Sequence, residues 1–250
     1  MGKCDVTQEA STGSDSGRPM PKEKPLDAQP PEREPRLSRA AAHRLSLYLR
    51  CVSTWPATGG KVSSSRIAAA VGVSDAQVRR DLAALGHLGQ RGIGYEAEGL
   101  ATAIRSALGI NRTWRAVLVG VGNLARALLR YQGFRAQGFE VVGLFDSDIS
   151  KVGQTVEGLA VESATHLGER SAALGAELGI LTLPGEVAQS AADVLATARI
   201  RGILNFAPVV LRLPSRVRLV TVDLAIQLEQ LAFLVQHGDT DVAGRPADDD

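Results

Sequence analysis

One interruption constrains this chain more than any other stretch. The apolar run Ala116-Val117-Leu118-Val119 breaks into Gly120-Val121-Gly122-Asn123-Leu124-Ala125, resumes as a helix-like segment over residues 126–131, and is followed by a second apolar run, 141–145, that ends at Asp146. A strand, a G-x-G-x-x-A turn, a helix, a second strand and a terminal acid make a dinucleotide-binding fingerprint in a parallel α/β sheet. Each part has a physical task. Gly120 permits the tight turn, Gly122 lets a pyrophosphate approach bare backbone, and Ala125 lets the helix pack close to its strand. The helix start presents free N–H groups and partial positive charge to phosphate. Asp146 stands roughly 20 residues on, where a carboxylate accepts from ribose hydroxyls and favours NAD over its 2′-phosphorylated relative.

The segments after Asp146 extend the same architecture. Residues 179–184, 202–208 and 219–223 are further strand candidates, with a helix expected over 186–198. Their continuous apolar character predicts parallel strands buried on both faces. Ligands in such sheets lie beyond the carboxyl ends of the strands, which adds Thr182, Leu183, Pro184, Asn205, Phe206 and Pro208 to the site. Lys151 joins the nucleotide-contact candidates. A final helix, 223–236, carries Leu224, Leu228, Leu231 and Val235 along one stripe. It follows a sheet that already reads as complete, so its apolar face is assigned to a dimer contact. Acidic residues 238–250 form a tail.

The N-terminal third has a different character. Residues 1–36 are rich in Pro, Ser, Gly and charge, cannot offset their ordering entropy by burial, and are expected to be disordered. Residues 37–108 hold nine Lys and Arg against four Asp and Glu, whereas 115–236 hold eleven of each, so a basic module precedes a neutral one. Leu45, Leu47, Tyr48, Leu49 and Val52 cluster on a helix that ends before Pro56, and Gly59-Gly60 turns the chain. A short helix over 66–71 stops at Gly72. Ser74 and Gln77 then form a capping box for a helix reaching about Leu85, with Val78, Leu82 and Leu85 on its inner face and Gln77, Arg79 and Arg80 directed outward. This is a helix-turn-helix, and the glycine-rich stretch 86–95 fits a β-hairpin wing with Arg91 at its tip. The candidate DNA contacts are Ser64, Ser65, Gln77, Arg79, Arg80, Gln90 and Arg91. A last helix, 98–108, leads into the nucleotide module.

Other classes find less support. Cys4 and Cys51 lack metal-ligand spacing and fit a reducing cytoplasm. No apolar run approaches the roughly 20 residues of a membrane span. The chief rival is an NAD-dependent oxidoreductase with an accessory helical domain. Hydride transfer needs a positioned acid or base, yet none of His43, His87, His166 and His237 follows a strand end, so neither a catalytic residue nor a metal is assigned.

Residues 44–50, 77–82, 89–95, 119–124 and 202–211 together resemble the Rex family of redox-sensing transcriptional repressors. The resemblance implies a cytoplasmic homodimer with a winged-helix domain (37–110), a Rossmann domain (111–222) that binds NADH, and a C-terminal helix (223–237) swapped between protomers. It implies that NADH releases operator DNA while NAD⁺ competes weakly. It further implies a switch in which Asp223 of one protomer pairs with Arg50 or Tyr131 of the other. Leu224 departs from the pattern, standing where some members carry a Phe near the nicotinamide.

Overall fold

The computed structural model describes residues 37–55, 61–86, 88–90 and 93–238, together with Gly2. The expected tails 1–36 and 239–250, the Gly59-Gly60 turn, His87 and the wing-tip Arg91 lie outside the described residues.

The first helix, α1 (Arg39–Ser53), starts where Ser38 accepts from the Ala41 N–H at 3.1 Å, and it buries Leu45, Tyr48, Leu49 and Val52. After β1 (Lys61–Val62) comes α2 (Ser64–Val71), two residues earlier than the hydrophobic pattern suggests, because the Ser63 side chain caps it. Gly72 ends α2 in the left-handed region at φ 72°, the conformation only glycine takes up without penalty. The next helix, α3 (Asp75–Ala83), is capped by Ser74, whose side chain accepts from the Gln77 N–H at 3.2 Å. The reciprocal half of the expected capping box is absent, since the Gln77 side chain turns to Asp81 instead. Leu85 lies beyond α3 and is half-buried. The wing is present: β2 (Gly89–Gln90) pairs antiparallel with β3 (Gly94–Glu96), and β1 pairs on the other side of β3. Glu96 then caps α4 (Ala97–Ala107) by accepting from the Glu98 and Gly99 N–H groups.

One buried carboxylate ties α1 to α3. Asp81 is 6% exposed. It accepts from Arg44 Nε at 2.7 Å, Arg44 Nη2 at 2.8 Å, Tyr48 Oη at 2.9 Å and Gln77 Nε2 at 2.8 Å. All of a carboxylate's lone-pair directions are thereby used. The Arg44 guanidinium first, then Tyr48 and Gln77, hold the Asp81 carboxyl below the usual carboxylate range against the opposing effect of burial. Burial, followed by the bond to Asp81, pushes the Tyr48 hydroxyl up to about 12.

The second module begins with β4 (Trp114–Val119), followed by α5 (Asn123–Arg130), a short α6 (Gly133–Ala136) and β5 (Phe139–Asp146). A hairpin absent from the sequence reading follows, β6 (Thr155–Val156) and β7 (Leu159–Ser163), and then α7 (Leu167–Ala173). The remaining elements are β8 (Leu178–Leu181), α8 (Gly185–Thr197), β9 (Gly202–Asn205), β10 (Arg218–Thr221) and α9 (Leu224–His237). The strands run β10-β9-β8-β4-β5-β7-β6, all parallel except β6 at its edge. One layer of core packs β4, β5 and β8 against α8 through Val117, Phe145, Leu181, Ala192 and Leu195; the other packs them against α5 through Leu118, Leu144, Ile180 and Ala125. Burial on both faces holds for these central strands. It fails for β10, whose Val220 is exposed. The expected single stripe on α9 also needs correction: besides Leu224, Leu228, Leu231 and Val235, Ile226, Phe233 and Leu234 are exposed, so apolar residues emerge on every side.

The Asp81 network carries a pH signature. Its folded carboxyl titrates below the unfolded value of about 3.9, so its stabilisation is complete above that value and is lost as pH falls through the folded one. Asp81→Asn is expected to cost about 3 kcal/mol at pH 7, the low end for a buried pair because the Arg44 side chain stays 24% exposed. The difference from the parent should narrow below about pH 4. Urea midpoints across pH test this, and equal midpoints at pH 7 would refute it.

Candidate functional site

Register builds the first site. Val119 lies opposite Phe145 on one side and Leu181 on the other, and Leu181 lies opposite Asn205. Parallel strands in this register end together. Gly120, Asp146, Thr182 and Phe206 therefore meet along one edge of the sheet, as the strand-end rule anticipates. Gly120 sits at φ 90°, and a Cβ there would lie 2.6 Å from the Thr182 carbonyl oxygen. The Thr182 hydroxyl donates to the Gly120 carbonyl at 2.6 Å, and the Gly120 N–H donates to the Phe145 carbonyl at 2.8 Å. The turn is thus clamped between β5 and β8. A Cβ on Gly122, by contrast, would meet open space.

The start of α5 is shaped for an anion. Gly122 is its N-cap and offers no side chain to the first N–H groups, while Ala125 is fully buried against the sheet. Val121 is buried, whereas Asn123 and Leu124 are exposed beside the turn. The helix begins at Asn123 rather than Arg126, so all of Asn123, Leu124 and Ala125 lie in its first turn.

Asp146 closes the turn from below. Its carboxylate, 6% exposed, accepts from the Val121 N–H at 2.7 Å, the Asp148 N–H at 2.9 Å and Lys151 Nζ at 3.0 Å. Burial pushes its carboxyl up, but the Asp148 N–H, Lys151 and the Val121 N–H together outweigh that and hold it below the usual range. Two of these donors belong to backbone. Lys151 is the exchangeable one, with its side chain 32% exposed and Asp148 a second partner at 3.8 Å.

Two candidates have internal duties instead of open polar groups. The Thr182 hydroxyl is taken up by the carbonyls of Val119 and Gly120. Asn205 is fully buried, donating to the Ala207 and Val209 carbonyls and accepting from the Ala207 N–H. Both shape the loops rather than present a side chain. Phe206 is half-buried, and Pro208 and Pro184 are exposed at the same edge, Pro184 as N-cap of α8.

The second site is the outer face of α2 and α3. Arg79 is paired with Asp75 at 2.6 Å and reaches Ser64 Oγ at 3.4 Å; Ser65 is exposed beside them. Arg80 donates to Gln77 Oε1 at 2.9 Å. Gln77 is half-buried and bound at both ends of its amide, which corrects its outward assignment: the attraction of a buried carboxylate one turn away outweighs solvation. Gln90 lies in β2, on the wing.

The three switch candidates lie apart from these contacts. Asp223 caps α9, accepting from the Ala225 N–H at 2.9 Å and the Ile226 N–H at 3.3 Å. Tyr131 closes α5, 55% exposed and edge-on to Phe134. Arg50 and Tyr131 both line a groove of about 650 Å³ whose floor includes Phe139, Ile180, Leu204 and Val220. Among the described residues, no helix is long and apolar enough to cross a membrane.

Comparison with known proteins agrees with this arrangement. Residues 111–209 match a family model described as a CoA binding domain, and residues 36–83 match one described as a putative DNA-binding protein N-terminus. The redox-sensing transcriptional repressor Rex of Rhodopirellula baltica is 45% identical over 82% of this chain and 87% of its own. That of Desulfitobacterium hafniense is 44% identical over 80% of this chain and 96% of its own. Among solved structures, RSP in complex with beta-NAD⁺ and operator DNA aligns with a TM-score of 0.75 at 31% identity, covering 80% of this chain and 93% of that one.

The two glycines of the turn make opposite predictions. Gly120→Ala forces a Cβ into backbone at a positive φ and is expected to cost at least about 2 kcal/mol. Gly122→Ala should lower the unfolding free energy by less than about 1 kcal/mol, because its Cβ enters open space and only an N-cap preference is lost. Equal destabilisation by both would contradict the assigned geometry.

Proposed function

The chain belongs to the Rex family of redox-sensing transcriptional repressors, and we propose from that membership that it binds operator DNA as a homodimer and releases it when NADH binds. The observation that carries this reading is the pairing, in one chain, of a glycine-rich helix start closed by a buried acid with a helix-turn-helix whose outer face carries Arg79 and Arg80. The first takes the pyrophosphate and ribose of a dinucleotide; the second meets phosphates and base edges. The protein works by binding, in the cytoplasm where DNA and the nicotinamide pool meet, rather than by turnover.

At the nucleotide end, the first-turn N–H groups of Asn123 and Leu124 face the pyrophosphate, and Gly122 leaves room for it. A ribose hydroxyl reaches Asp146 by displacing Lys151, since the other two donors are fixed in the backbone. A 2′-phosphate would meet the Asp146 charge, which sets NADH above NADPH. Phe206, Pro208 and Pro184 line the far side, and Thr182 and Asn205 hold the loops that present them.

At the DNA end, Arg79, Arg80, Ser64, Ser65, Gln90 and Arg91 supply the contacts. Protomers join through α9, whose apolar residues all round call for burial.

A ligand shifts a two-state equilibrium only by its differential affinity for the two states. NADH therefore binds the DNA-incompetent dimer better, with NAD⁺ a weak competitor. Fluorescence anisotropy of a DNA site selected by the full chain, titrated at fixed salt, tests this. NADH should release DNA at lower concentration than NAD⁺ or NADPH; release by none of them would overturn the sensor reading, and turnover of NADH would favour an oxidoreductase.

The coupling contact is Asp223, exchanging between Arg50 and Tyr131 of the other protomer. Asp223→Asn keeps an oxygen for the cap but loses the charge. NADH and DNA should each still bind, while the NADH concentration that releases DNA rises several-fold. Reciprocity requires the weakening of NADH binding by DNA to shrink by the same factor. A variant that releases DNA at the parent's NADH concentration would leave Asp223 with its cap alone.

A further inference from the structure

The chain of hydrogen bonds through α3 has a direction. Asp81, ionised, can only accept, so of the two ends of the Gln77 amide only the NH₂ can face it. The amide oxygen is thereby fixed outward, where it accepts from Arg80 Nη1 at 2.9 Å. Arg44 and Tyr48, one turn apart on α1, hold Asp81 from the other side. Four side chains on two helices thus determine where one exposed guanidinium points.

We propose that Asp81 is a positioning residue for sequence reading, acting through Gln77 to aim Arg80. This rests on the DNA-binding reading above. Base-edge recognition by Arg needs two parallel N–H bonds at once, so it depends on the orientation of the fork; a phosphate contact needs mainly the charge. Gln77 occupies one terminal nitrogen of Arg80 and leaves the rest of the fork to be presented in a fixed plane, with part of the ordering of a long side chain met before DNA arrives. Arg79 has a different support. Its partners, Asp75 and Ser64, belong to the exposed surface and hold it by a solvent-screened pair. The two neighbouring arginines therefore have different tasks: Arg80 discriminates among sequences, and Arg79 adds affinity to any duplex. Gln77, at the position a reader of bases would occupy, is the link and not the reader.

A double-mutant cycle in the full chain decides this. The probes are the duplex that the parent recovers from a random-sequence pool and a scrambled duplex of the same composition, at one salt concentration. Arg80→Ala is expected to lower the ratio of the two affinities about tenfold. Gln77→Ala should lower it several-fold while the scrambled duplex binds as before; losing the bond to Asp81 lowers the thermal midpoint but leaves the protein folded at the assay temperature. The double variant should match Arg80→Ala alone, because Gln77 has nothing left to aim. Arg79→Ala should weaken both duplexes alike. Additive losses in the double variant, or a Gln77→Ala ratio equal to the parent's, overturn the relay. A parent that enriches no sequence overturns the DNA reading itself, and the relay with it. Asp81→Asn supplies an independent arm where it folds, with the same loss of ratio expected; where it does not fold, the Gln77–Arg80 cycle decides alone.

Discussion

The approach of β4 to β8 at their carboxyl ends is the contact on which the nucleotide end depends. At Gly120 the backbone of one strand passes so close to Thr182 of the other that no Cβ fits between them. The close approach lets the Thr182 hydroxyl bridge to the Gly120 carbonyl, and it lets the chain reverse directly into α5. A bulkier residue would push the turn away from the sheet and, with it, the helix start that faces the ligand. Ala125 completes the constraint from the helix side by being fully buried against the same strands.

Two acids, equally buried, serve opposite ends. Asp81 and Asp146 are each 6% exposed, and each is held below the usual carboxylate range. Asp81 is saturated by three side chains from two helices and so fixes a geometry. Asp146 has two backbone donors and one part-exposed lysine, so one of its bonds can be exchanged without disturbing the fold. A saturated network suits a rigid reading surface, whereas a carboxylate with one replaceable partner suits reversible capture of a hydroxyl-bearing ligand.

Much of this was legible because it is local. The glycine turn, the flanking strands, Ser74 as a cap and Gly72 as a stop depend on residues within a few positions of each other, and the structure has them where the pattern puts them. The misses are non-local or too short to carry a pattern. The direction of Gln77 is set by Asp81, which is itself held by Arg44, 37 residues away. The β6–β7 hairpin turns on Glu157 and Gly158, both at positive φ (48° and 82°), and a glutamate in that first position hides a turn usually marked by Asn or Asp. The exposure of β10 could not be read either. Leu219, Val220 and Val222 are as apolar as a central strand, and only strand order makes β10 an edge. The roles of Thr182 and Asn205 were hidden for a related reason: a polar residue at a strand end looks the same in sequence whether it faces a ligand or braces a loop.

The departure point of α9 joins these threads. Val222, just before the helix, donates its N–H to the Asn205 carbonyl at 2.8 Å, and the Asn205 side chain braces the loop carrying Ala207 and Val209. The first turn of α9 is therefore two residues from a loop that faces the ligand edge of the sheet. Asn205 itself is fully buried with its amide bonded at both ends. Such a helix, apolar on all sides, is stable only when other surfaces cover it. Contiguity of this kind supplies a route and not an equilibrium; a switch also requires two arrangements that the ligand distinguishes by affinity. The proposed exchange of Asp223 would meet that second requirement in a way a purely apolar contact could not. One carboxylate oxygen accepts both cap bonds, at 2.9 and 3.3 Å, and in that proposal the charge takes a cationic or hydroxyl partner in one arrangement and not in the other.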